Sequence, residues 1–247
     1  MARAFQEAAD LGNDQTGTTW TVSYTVGTGA NRVLFLATDD VVSSTSAISG
    51  VTYAGAAMTK IGGGQGDNGS GSLGDRYHTL WMLVNPATGT NNFVMSRTNN
   101  AYIEAAAASY TGCAQSGQPN NSSDFVHTDH TNPSNSARTS TVDNSWHIMS
   151  FHRSGSGTTA SAGTGTARRI VNAGSSNYAI FDSNGSITPA GSNTLQITGI
   201  AGLITVGATI SPVATTFIKS LNGLAYASTK SKNGALMNVI KSINGLA

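Results

Sequence analysis

Apolar and polar residues alternate with a period of two along much of this chain. Trp20, Val22, Tyr24 and Val26 are interleaved with Thr19, Thr21, Ser23 and Thr25, which predicts a strand with one face on a core. Val33-Leu34-Phe35-Leu36-Ala37 is apolar throughout and predicts a strand buried on both faces. Val51-Thr52-Tyr53 runs into a turn at Gly55, and Ala57-Met58-Thr59-Lys60-Ile61 resumes the strand pattern. Leu80-Trp81-Met82-Leu83-Val84 stops at Asn85-Pro86, because proline has no N–H for the ladder. Asn92–Met95, Tyr102–Tyr110, Trp146–Phe151, Asn177–Phe181, Leu195–Thr198 and Leu203–Ile210 continue the series. Ala105–Ala108 favours a helix by propensity alone. Its flanks, Tyr102-Ile103 and Ser109-Tyr110, tip the reading toward a small-residue strand in a close-packed sheet.

About ten short strands at regular spacing predict a sandwich or barrel. Two polar stretches, Gly62–Gly74 and Gln115–Arg138, read as long loops and as the places for partner contacts. Composition agrees with an all-β chain. Charged residues make up 10% of 247, while 38% are hydrophobic, and Gly, Ser, Thr and Asn fill the difference. That mixture suits strands and turns rather than helices or disorder. A net charge of +1 gives no field to attract nucleic acid or an anionic membrane. Lone Cys113 excludes an intrachain disulfide and a Cys-clustered metal site. The N-terminal residues lack the apolar run of a signal peptide, and no stretch is long enough for a membrane helix. The expectation is a protein made in a host cytoplasm and released, as virion proteins are, by lysis.

Five segments together resemble a known family. They are Asn31–Leu36, Ile48–Thr59, Leu80–Thr90, Ala108–Gly112 and Gly207–Pro212. Their order is similar to that of jelly-roll-like β-sandwich domains in bacteriophage virion proteins and some bacterial surface proteins. The likeness spans roughly residues 15 to 213. It implies a structural or adhesive role and carries no catalytic residues. The expected organisation is a jelly-roll-like antiparallel β-sandwich over residues 1–213, followed by a short repetitive β-hairpin tail over 214–247.

The tail repeats itself. Lys219-Ser220-Leu221-Asn222-Gly223, Lys230-Ser231-Lys232-Asn233-Gly234 and Lys241-Ser242-Ile243-Asn244-Gly245 recur with a period of 11. Asn and Gly in every copy weigh against a right-handed coiled coil, since both are poor helix formers. Asn-Gly is instead the preferred centre of a type I′ hairpin turn. Ile218, Leu221, Leu224, Ile240, Ile243 and Leu246 are the apolar residues of these copies, too few to enclose a core alone. The tail is therefore expected to build a homo-oligomer, a trimer favoured, with Asn222-Gly223, Asn233-Gly234 and Asn244-Gly245 shaping the contact.

Candidate chemistry is sparse. His127, Asp129 and His130 lack a third ligand at a useful spacing. Asp67-Asn68-Gly69-Ser70 with Asp75 lacks the ordered acids of a calcium loop. Gly62-Gly63-Gly64-Gln65-Gly66 is followed by no Lys-Ser/Thr, so it is not a phosphate loop. Glu104 is read as a lone, exposed strand acid, short of the carboxylate pair of a glycosidase. Trp20, Trp81 and Trp146 lie in apolar strands and belong to a core rather than a sugar platform. Tyr77 and His78, beside the Gly-rich stretch, are the candidates for a surface contact. No cofactor, metal or catalytic residue is expected. The leading reading is a non-enzymatic virion component (capsid decoration, head fibre or tail) whose partners are its own copies and other virion proteins. The alternative is an adhesin that binds a host-surface glycan.

Overall fold

The computed structural model describes residues 3–14, 16–41, 46–67, 73–127, 134–154, 161–173, 176–199 and 204–214, then four two-residue strands further on. The chain divides into two units, Met1–Val213 and Ala214–Ala247. Every regular element among the described residues is a β-strand, and every ladder is antiparallel.

The first half of unit 1–213 holds β1 (Ala4–Asp14), β2 (Thr19–Val26), β3 (Val33–Asp40), β4 (Ile48–Tyr53), β5 (Ala56–Ala57), β6 (Thr59–Asp67), β7 (Leu73–Val84), β8 (Gly89–Arg97) and β9 (Ile103–Thr111). They form a sheet in the order β1-β9-β3-β7-β6 and a second in the order β2-β8-β4-β5. Apart from the hairpins β4–β5 and β6–β7, strands adjacent in sequence alternate between the two sheets, as in a jelly roll. The second half holds β10 (Asn121–His127), β11 (Ser134–Thr139), β12 (Trp146–Ser154), β13 (Ser161–Thr164), β14 (Thr166–Ala173), β15 (Ser176–Asp182), β16 (Ser192–Thr198) and β17 (Ile204–Ile210). Its sheets run β10-β17-β12-β15-β14 and β11-β16-β13. Strand for strand, that is the first arrangement again, short only of a counterpart to β5.

Register repeats as well as order. Val33 pairs with Val84 and Tyr110, and Ile148 pairs with Asp182 and Ala208. The two flanking partners are 26 residues apart in both cases. Where the sequence suggested one sandwich, the unit contains two jelly rolls in tandem. The all-β sandwich class stands, and its number is doubled.

Three apolar cores bind the four sheets. Trp20, Leu34, Leu36, Trp81 and Phe93 fill the first sandwich. Met149, Phe151, Phe181, Leu195 and Ile197 fill the second. Val33, Phe35, Leu80, Met82, Tyr110, Trp146, Ile148 and Ile180 lie between the two five-stranded sheets. Alternation explains the division: odd residues of β3 face the partner sandwich and even ones face their own. All eight residues of β3 are buried, as its apolar run predicts. Ala105–Ala108 do form a strand, fully buried in β9. Between the sandwiches, β1 lies against β14, β9 against β15, β3 against β12, β7 against β17 and β6 against β10. Each half thus offers the same surface in opposite order, an isologous twofold contact made within one chain.

Both expected loops contain strands. Gly62–Asp67 extends β6 along β7, with Gly63 opposite Thr79 and Gly66 opposite Arg76. The glycines are needed for space: a Cβ on Gly66 would stand 1.9 Å from Ile204 Cγ1 of the second sandwich. In Gln115–Arg138, β10 and β11 occupy much of the chain. In unit 214–247, β18 (Ser220–Leu221) pairs with β19 (Leu224–Ala225), and β20 (Thr229–Lys230) pairs with β21 (Leu236–Met237). Residues 222 and 223 separate the first pair, the length of a two-residue hairpin connection. Ile218, Asn222, Gly223, Asn233, Gly234, Ile240, Ile243, Asn244, Gly245 and Leu246 lie outside the described residues, and Leu221 and Leu224 are described as backbone.

Candidate functional site

The acid–base groups that the fold brings together sit between the two sandwiches. Asp39 ends the inward row Val33, Phe35, Ala37 on β3. Its ladder partners are Glu104 of β9 and His78 of β7. From the facing sheet, β12 sends Ser150 and His152 into the same space, on the same parity as Trp146 and Ile148. Arg76 of β7 closes the group.

The contacts are short, and those of His152 cross the interface. Arg76 Nη1 lies 3.0 Å from Asp39 Oδ2 and 3.5 Å from Glu104 Oε2. His152 sets Nδ1 3.1 Å from Asp39 Oδ1 and Nε2 3.3 Å from Glu104 Oε2. Tyr102 donates to Glu104 Oε1 at 2.8 Å, and the Arg76 guanidinium sits 5.4 Å from the Tyr102 ring. His78 Nε2 and Ser150 Oγ are 2.9 Å apart, a second polar bridge between the sandwiches. Asp39, Glu104 and His152 are 1%, 3% and 0% exposed, so water does not screen them.

Burial dictates where the proton goes. It pushes the Asp39 carboxyl well above its ordinary range, against the pull of Arg76. It pushes His152 down to about 4 and His78 down to about 3. Burial thus favours the uncharged forms of Asp39, His78 and His152, with the Arg76 guanidinium as the cation beside the two carboxyl groups.

Asp39, Glu104 and His152 also offer three metal-ligand atoms within 4.8 Å of one another. The arrangement suits a proton better than a divalent ion. The Arg76 guanidinium already supplies a cation to both carboxylates. The imidazole turns a different nitrogen to each carboxylate, whereas one ion would take one nitrogen. Three protein ligands also fall short of the four of a structural zinc site.

Several expectations change here. Glu104 is buried in a network rather than exposed on a strand. Its partner Asp39 was missed because Thr38-Asp39-Asp40 looks like a strand end. His78 is 1% exposed and cannot make a surface contact. Tyr77, on the opposite parity, is half-buried beneath Lys60, whose Nζ lies 4.8 Å from the ring centroid. Trp20, Trp81 and Trp146 are buried, as expected of core residues. Among the loop residues weighed as metal ligands and set aside, Asp129 and His130 lie outside the described residues, and the side chains of Asp67, Asp75 and His127 are not described. Parity is the signal that was available: polar residues recur on the core-facing register at the ends of β3, β7 and β12.

Elsewhere the buried polar groups also hold sheets together. Asp10 accepts from Tyr178 Oη at 2.6 Å, joining β1 to β15. Arg168 pairs with Asp182, Nε to Oδ2 at 2.6 Å and Nη2 to Oδ1 at 2.9 Å. His147 lies between the sheets of the second sandwich, its Nδ1 3.2 Å from Asn193 Oδ1. Burial, with a smaller contribution from nearby Arg138, lowers its pKa to about 4 against the Asn193 hydrogen bond. A His held below its unfolded value contributes stability that is lost as pH falls from about 6.5 toward 4. Asp40, raised to about 6 by burial, acts in the opposite sense as pH rises. A comparison with His147→Gln isolates the histidine. The wild type should lose stability relative to the variant by on the order of 1 kcal/mol per pH unit below about 6.5, read by urea unfolding at a series of pH values.

A scan against protein-family models finds no match, and a comparison with curated proteins likewise finds none.

Proposed function

We propose that the chain is a non-enzymatic virion structural protein, a capsid decoration, head-fibre or tail component that assembles through residues 214–247. The observation that carries this reading is the sealing of the acid–base cluster described above. Asp39, Arg76, Glu104, His78 and His152 converge as the groups of an active site do, yet they lie in the core between two sandwiches. There they reach no substrate and serve as a brace. A tandem of jelly rolls locked face to face is a stiff block, suited to bearing a position rather than to opening around a ligand. The resemblance to phage sandwich domains and the repeated tail point the same way. Particle composition tests the proposal: mass spectrometry should find the chain in purified virions at a fixed copy number.

A further inference from the structure

Among the described residues, β2 is the unguarded sheet edge of unit 1–213. It pairs with β8 over eight residues without a register shift, and it contains no charge, glycine or proline. The other edges are blunted in the ways that keep strands from pairing at random. β1, β6, β10, β13 and β14 are bulged, β11 turns Arg138 inward, and β5 is two residues long. Backbone parity defines what β2 offers. Arg97 N–H donates to the Thr18 carbonyl at 2.8 Å, and Ala54 N–H donates to the Asn92 carbonyl at 3.0 Å on the β4 side of β8. Ser23, opposite Asn92, therefore turns its N–H and C=O away from β8, and so do Thr19, Thr21 and Thr25. No backbone hydrogen bond reaches these groups among the described residues, and all four residues are exposed. Beside them runs an open groove of about 460 Å³, lined by Glu7, Ala9 and Leu11 of β1 and by Val22, Ser23 and Thr25 of β2.

We propose that this groove takes a strand from the tail of a neighbouring copy, paired to the free edge of β2. The inference rests on the reading that residues 214–247 drive assembly and names the surface that receives them. Length is the first reason. The four described strands of the tail are two residues each, too short to hold without a further edge. Charge is the second. Lys219, Lys230, Lys232 and Lys241 are the charged residues of 214–247, so all 12 acids of the chain lie in 1–213. One of them, Glu7, lines the groove and is exposed without an ion pair among the described residues. A second β2 is the competing occupant, and it would bring a second Glu7 against the first, a like-charge contact that costs affinity. A tail strand brings lysine to Glu7, and its Leu or Ile covers Leu11 and Val22. Tail in groove joins two different surfaces, the heterologous kind of contact that builds a ring when its rotation closes.

Sedimentation of the full chain tests this, as wild type, Ser23→Pro and Glu7→Lys, beside the chain lacking 214–247. Proline at position 23 removes an N–H that points away from β8, so the β2–β8 ladder stays intact. Ser23→Pro and Glu7→Lys should each weaken self-association by about tenfold, through a lost edge hydrogen bond in one and a reversed charge in the other. Glu7 is exposed, so its variant keeps the fold even where the proline strains it. Wild-type association in either variant overturns the proposal and leaves the tail's part in assembly standing. An oligomer that survives the deletion but yields to Ser23→Pro assigns the edge to a second β2, and overturns it as well. A wild-type chain that sediments as a monomer overturns both the proposal and the reading beneath it.

Discussion

Arg76→Met should destabilise the two-sandwich unit by about 3–5 kcal/mol, the cost of removing one partner from a buried charge network. Arg76 Nη1 is the cation between Asp39 Oδ2 at 3.0 Å and Glu104 Oε2 at 3.5 Å. Without it, the two buried carboxyl groups have lost the cation beside them, which costs free energy. Arg76→Lys should fall between the two proteins, because the ammonium restores charge without the forked geometry. Urea unfolding measures the difference directly. A change within about 0.5 kcal/mol, the range of ordinary surface substitutions, would show the cluster to be solvated and the brace unnecessary. Stability lent by the network need not be large in absolute terms, since apolar residues of similar volume often do as well. Its value lies in register. Val33, Phe35 and Ala37 could slide against Ile148 and Ile180, but His152 meets Asp39 and Glu104 in one alignment.

Deleting residues 214–247 should leave a folded, soluble monomer that no longer assembles. Ile218, Leu221, Leu224, Ile240, Ile243 and Leu246 belong to repeats too short to enclose a core. Burying each is worth about 1.5–3 kcal/mol, so leaving all six in water forgoes on the order of 10 kcal/mol. Neighbouring copies can recover that by pairing hairpin edges or closing a shared apolar axis. Unit 1–213 keeps its three apolar cores without the tail. Sedimentation of the truncated and full chains should show a monomer against a cyclic oligomer, a trimer favoured. The same oligomer from both would move the interface onto the sandwiches.

Much of the architecture was legible in the sequence because strands advertise themselves by parity. β2, β3, β7 and β12 are read from alternation or from a continuous apolar run, and each run lies in a strand, although β7 begins at Leu73, well before the predicted Leu80–Val84. β1 was missed because Phe5-Gln6-Glu7-Ala8-Ala9-Asp10 carries too much polarity for an edge strand to stand out. β6 was half missed because Gly62, Gly63, Gly64 and Gly66 supply no apolar side chains, Gly63 and Gly66 making room for neighbours instead. The doubling of the jelly roll was hidden for another reason. Topology repeats between the halves while residue identity does not, and pairing order is a property of space. The charge cluster was legible only in part. Glu104 stood out as a strand acid, but its meeting with His152 depends on how two sheets face each other.

Whether this chain is a structural component of a virion is read most directly by quantitative mass spectrometry of purified particles. Its peptides should occur in the intact particle fraction, in a constant ratio to the major capsid protein through successive density gradients. Absence from every particle fraction, with the chain recovered only in the soluble lysate, would contradict it.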